Sequence, residues 1–142
     1  MDYKTIEEAF LFVSSAPPFE SSAVVHRITG ESFYASELSG DSEIPEDAEE
    51  SDGYLWIPHK NDLDLGKPLV MEFVRKHCSS LIDEMYEIFR HRGAYGRFKD
   101  LLAEQALLEE WYAFEQTRTR EALLRWCEEN GVVLGAGVIH DK

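Results

Sequence analysis

Cysteine is scarce: Cys78 and Cys127 are the only two in the chain. They lie far apart without a cysteine neighbour, which excludes a disulfide framework and a C-x-x-C redox pair. Long apolar runs are missing as well. The longest, Ala9 to Val13 and Gly131 to Ile139, fall far short of the roughly 20 residues that cross a bilayer. A secretory leader has a basic start and a long apolar middle, whereas this chain opens with Asp2, Glu7 and Glu8 and turns polar after Val13. The expectation is a cytoplasmic protein with reduced, partly buried thiols and no membrane association.

Signature loops are lacking too. There is no G-x-G-x-x-G, no Walker A loop and no G-x-S-x-G turn, so the common routes to nucleotide binding and serine hydrolysis are closed. His26, His59, His77, His91 and His140 are scattered, and none forms the H-x-x-x-H pair that sets two imidazoles on one helical face. His77 beside Cys78 points elsewhere on a helix, so a Cys–His dyad would have to be built by the fold. No catalytic residue, metal ligand or cofactor is expected.

What is present is a 142-residue chain, 44% hydrophobic, with Trp56, Trp111 and Trp126 among many aromatics. That suits one folded domain over residues 1–142 despite a net charge of −14. The charge is divided: residues 1–66 hold 15 acidic and 3 basic side chains, residues 67–142 hold 13 and 11. An excess of carboxylates repels the phosphate backbone, so direct nucleic-acid binding is disfavoured.

The pattern predicts an α+β fold, a small antiparallel sheet (a hairpin plus a third strand) followed by a helical half of about four helices over residues 67–131. Thr5 to Glu8 fits a capping box for a first helix reaching about Ser15, stopped by Pro17 and Pro18. Ala23 to Ile28, a turn at Thr29-Gly30-Glu31, and Ser32 to Ser36 form the clearest hairpin. Residues 39–53 are dominated by carboxylates, with Ile44 and Ala48 as the main apolar exceptions, and read as a mobile acidic loop. Tyr54 to Ile57 supplies the third strand, ended by Pro58. Beyond it the period becomes helical: Pro68 in a first turn, Ser80 as a fresh N-cap, Gly93-Ala94-Tyr95-Gly96 as a turn, and a last helix through Trp111, Phe114 and Trp126 to Asn130-Gly131. The tail from Val132 to Ile139 could add a strand, pack as an arm or extend freely.

One cluster stands out as a candidate binding site: Arg90, Arg92, Gly93, Gly96, Arg97 and Lys99, where positive charge surrounds a glycine turn that opens a helix. Free first-turn amides there would suit an anion, although basic groups at a helix end also serve the helix dipole. The pairs Glu109-Glu110 and Glu128-Glu129 point two ways on a helix and read as solvated faces. Trp111, Phe114 and Trp126 share a helical face and read as core.

Taken together, Thr29-Gly30-Glu31, Tyr54 to Pro58, Met71 to Val74, Arg92 to Asp100, Trp111 to Phe114 and Trp126 to Gly131 resemble an uncharacterised family of small bacterial proteins. The likeness runs from about Ile6 to Val132, and Arg92 to Asp100 with the following Trp-Tyr is its most specific part. Tyr95 stands where that family's pattern has Phe, and Gly96 where an arginine is usual, which removes one positive charge. The resemblance implies a hairpin region, an acidic middle and a helical second half, and no known reaction. The function expected is an accessory or regulatory module that binds a protein partner through either the helical surface around Arg92 to Trp111 or the acidic segment, with a homo-oligomer left open. The alternatives are a small phosphate-processing or hydrolytic enzyme using the arginine cluster, and an acidic nucleic-acid mimic.

Overall fold

Asp2, with extended backbone, accepts a hydrogen bond from the Lys4 amide at 3.3 Å and starts helix α1, Tyr3–Ser14. The capping box expected at Thr5 is therefore interior to the helix; an acceptor side chain one turn earlier satisfies the orphan amides first. Tyr3, Ile6, Ala9, Phe10 and Val13 form its buried face, each large apolar member contributing about 1.5–3 kcal/mol. These elements come from a computed structural model that describes residues 1–135. The expected tail, Val132 to Ile139, therefore lies partly outside the described residues. The described chain forms two compact units, one made of residues 1–63 with the chain from Glu121 onward, the other of Asp64–Arg120. The architecture is α+β, with a four-stranded antiparallel sheet and, among the described residues, five α-helices.

In the first unit, strands β1 (Ser21–His26) and β2 (Ser32–Ser36) pair in the register Val24↔Phe33. The hairpin bend closes with the His26 amide on the Glu31 carbonyl and the Gly30 amide on the His26 carbonyl, both at 2.9 Å. Gly30 has φ +75, a conformation that costs glycine little. The sheet order is β3-β2-β1-β4, with β3 at Asp41–Ser42 and β4 at Tyr54–Trp56. Central β1 buries Ala23, Val24 and Val25 in succession, so both of its faces are covered.

The acidic stretch carries more order than its composition suggests. β3 pairs with β2, the Glu43 amide donates to the Tyr34 carbonyl at 2.9 Å, and Ala48 is fully buried. Backbone pairing needs no apolar side chain, and one small residue serves as the anchor. At the far end of the stretch, Arg27 donates from Nε to the Asp52 carbonyl at 2.8 Å and from Nη1 to the Asn130 carbonyl at 2.7 Å. His59, also buried, accepts the Asn61 amide at Nδ1, so its Nε2 carries the proton given to the Ala16 carbonyl at 2.8 Å.

In the second unit, α2 (Lys67–His77) has Pro68 in its first turn and Arg75, Lys76 and His77 in its last, where they meet the negative end of the dipole. α3 (Ile82–Ile88) follows a 3₁₀ turn at Ser79–Leu81. Ser80, expected as the cap, is consumed by that turn, and Leu81 precedes α3 without a side-chain bond. α4 spans Ala94–Glu104, and α5 (Leu108–Glu129) gives its first part to this unit. The core is aromatic: the Trp111 ring meets Phe98 edge-on at 4.9 Å and Phe73 at 5.4 Å, in the T-shaped arrangement that ring quadrupoles favour. Trp111 is buried as expected, while Phe114 and Trp126 are only half-buried. Gly131, at φ +70, ends α5 where the sequence placed its stop.

Candidate binding surfaces

The nominated glycine turn is tighter than the sequence suggested. Gly93, at φ +72, is the N-cap of α4 and has no side chain with which to cap it. Gly96 and Arg97 already lie inside the first turn of that helix, so Gly93 alone makes the left-handed bend. Arg90, Arg92 and Arg97 are exposed and Lys99 is half-buried. The cations are not equivalent. Arg90 Nη1 pairs with Glu87 Oε2 at 3.6 Å, and the Lys99 ammonium sits 5.5 Å from the centre of the Tyr112 ring. The Arg92 and Arg97 side chains have no hydrogen-bond or ion-pair partner among the described residues. Nearby, burial and then the charge of Glu115 push the Tyr95 phenol up, so it remains a neutral donor.

The first unit holds a second surface, in which Ser39, Asp41 and Glu43 of the acidic segment meet α1 and β2. An open cleft of about 470 Å³ lies between α1 and the β2–β3 edge, lined by Glu8, Phe12, Tyr34, Ala35, Ser36, Ser39, Asp41 and Glu43. Phe12 and Tyr34 meet edge to face at 4.9 Å and form its aromatic wall. Its three carboxylates are exposed, and among the described residues only Glu43 is hydrogen-bonded within the fold, accepting the Tyr34 amide at 3.3 Å. Such a cleft offers apolar surface with a rim of one sign of charge, which suits a cationic, partly apolar ligand. Helical spacing could have found half of it: Glu8 and Phe12 are four residues apart and share a flank of α1 beside the core stripe.

The chain matches the family model described as an uncharacterised protein family, UPF0158, over residues 8–136. It belongs to that family. The matched span includes every residue of the cleft and of the arginine turn. No curated protein and no solved structure matches the chain. Membership in UPF0158 names no reaction, so the chemistry has to come from the side chains themselves.

In this UPF0158 chain both cysteines are free thiols. Burial pushes Cys127 up to about 11 and raises Cys78 as well, so both are protonated at neutral pH and lack the thiolate a nucleophile needs. Among the described residues, no group of three or more His, Cys, Asp or Glu side chains is arranged to hold a metal ion. No helix there is long and apolar enough to cross a membrane.

Proposed function

We propose that this UPF0158 chain is a cytoplasmic accessory or regulatory module that binds a protein partner, and that the acidic cleft beside α1 receives a basic, partly apolar segment of it. The observation that carries the reading is the cleft itself, an aromatic wall of Phe12 and Tyr34 under carboxylates with no cation among the lining residues. Rim charges speed and orient association, while the buried apolar contact supplies affinity. The test is titration with a fluorescein-labelled dodecapeptide of alternating Lys and Leu. The Glu8→Gln/Glu43→Gln variant should bind it several-fold more weakly at low salt, with the difference shrinking as ionic strength rises. Equal affinity of variant and parent at low salt would remove the cleft from consideration.

A second reading assigns an anion or an acidic partner segment to Arg90, Arg92, Gly93, Gly96, Arg97 and Lys99. Its support is specific: the Arg92 and Arg97 side chains are exposed and partnerless beside the uncapped start of α4. Inorganic phosphate or a Glu-rich peptide that binds the parent and not Arg92→Gln/Arg97→Gln would favour it.

A further inference from the structure

Near the start of the sheet the chain holds a strained backbone that displays an apolar ring. The Glu20 amide donates to the Pro17 carbonyl at 3.2 Å, closing a four-residue turn with Pro18 second and Phe19 third. Phe19 has φ +73. The third position of a turn with positive φ belongs to glycine or asparagine, and a bulky side chain there is strained. Buried packing often explains such an outlier. Here the Phe19 residue is 94% exposed, so no contact in the fold compensates the strain.

A second exposed apolar residue is bound to the same place. The Glu37 amide donates to the Glu20 carbonyl at 2.8 Å, extending the β1–β2 ladder by one bond. Leu38, the next residue, is 87% exposed. Thus one backbone hydrogen bond joins the neighbours of Phe19 and Leu38. Beside Phe19 lies a hollow of about 210 Å³ whose lining includes Glu20, Glu37 and Asp41. Ala35, Ser36 and Asp41 line both this hollow and the α1 cleft, so the two continue one another around the β2–β3 edge.

We propose that Phe19 and Leu38 form the apolar anchor of a docking corner for an extended basic segment of a partner protein, which continues from the α1 cleft. The inference rests on the reading that the cleft receives a protein, and it adds where the main affinity lies and what the segment must contain. A Lys or Arg side chain of the segment enters the hollow and pairs with Glu20, Glu37 and Asp41, while a neighbouring apolar side chain packs on the exposed Phe19 and Leu38. Charge complementarity selects this occupant. A second copy of the same surface would set carboxylate against carboxylate, and a phosphate-bearing surface would be repelled by the same groups. The turn fixes the direction of the Phe19 Cα–Cβ bond before the partner arrives, which lowers the backbone part of the ordering cost of binding.

The full chain tests this with three labelled dodecapeptides: alternating Lys and Leu, alternating Lys and Ser, and alternating Glu and Leu. The first should bind at least about tenfold more tightly than the other two, because charge and an apolar anchor are both required. Phe19→Gly should weaken that binding about tenfold or more while raising the melting temperature by about 2 °C or more, since glycine relieves the positive-φ strain. Leu38→Ser should weaken binding with the melting temperature unchanged. If Phe19→Gly and Leu38→Ser bind like the parent while Glu8→Gln/Glu43→Gln binds more weakly, the corner is overturned and the cleft reading stands. Failure of the parent to bind the Lys-Leu peptide, or a preference for the Glu-Leu peptide or for phosphatidylserine vesicles, overturns both. A lowered melting temperature for Phe19→Gly overturns the corner alone, because the ring would then serve the fold.

Discussion

The two units treat charge in opposite ways. Residues 64–120 contain ten acidic and nine basic side chains, whereas the rest of the chain contains eighteen and five. The helical unit uses part of its charge on itself: Arg118 grips Glu72 with both terminal guanidinium nitrogens while lying over the Phe114 ring, and Glu87 serves both Arg90 and His91. The sheet unit has carboxylates and few cations, and its principal arginine, Arg27, binds backbone carbonyls instead of acids. Its outer strand β3 is only two residues long and bears Asp41, a device that discourages edge-to-edge pairing with another sheet. One unit thus comes close to neutrality, and the other carries a large negative excess.

The sharpest way to test the contrast is through the cores. Trp111→Ala removes a ring 1% exposed, packed against Phe73 and Phe98, and should cost about 3–5 kcal/mol in urea unfolding. Its indole nitrogen has no hydrogen-bond partner among the described residues, so the loss should come from packing alone. Trp126→Ala, at a half-buried position of the same helix, should cost clearly less, about 1–2 kcal/mol. Equal losses would mean that the sheet unit depends on aromatic packing as heavily as the helical one.

A second probe acts on the sheet unit alone. Cys127 is buried and keeps its proton up to about pH 11, whereas its ordinary value is 9.0. Between those values the unfolded chain releases the proton and the folded chain does not, so this thiol's contribution to stability is intact below pH 9.0 and falls as pH rises towards 11. The parent should lose about 2 kcal/mol relative to Cys127→Ala across that window, read as the difference between two stability-against-pH curves. Parallel curves would show that the thiol is hydrated in the folded state.

The smallest effect is expected at the arginine turn. Arg92→Gln/Arg97→Gln should change stability by less than about 1 kcal/mol, because neither guanidinium has a partner to lose. A large destabilisation in thermal unfolding would contradict their exposure and place the helical unit's charge balance in the fold itself.

What could be read from the sequence was what a few neighbouring residues decide. Pro68, Gly131 and the turn at Thr29-Gly30-Glu31 between two β-prone runs each act within a turn or a strand, and the helices and hairpin they predict are present. The errors arose where two local solutions competed. Asp2 and Thr5 both offer a capping oxygen, and the buried Tyr3 gives the earlier start an additional contact with the core. β3 escaped notice because its order comes from backbone bonds to Tyr34, Ala35 and Ser36, which side-chain composition does not report. The candidate surfaces divide the same way. The cations around Gly93 are contiguous in sequence, whereas the cleft and the Phe19–Leu38 corner join segments from α1 to Glu43 that meet only through the sheet register.

Arg27 also has a consequence in time. Its bond to Asn130 links residues 103 apart in sequence, within a unit that the chain leaves after Leu63 and re-enters at Glu121. During synthesis, at about 5–20 residues per second, the hairpin therefore waits several seconds before the residues that complete its unit exist. The helical unit is continuous and has no such wait. A chain ending before Glu121 would contain all of one unit and an unfinished sheet, with its negative charge slowing the collisions between like chains that lead to aggregation.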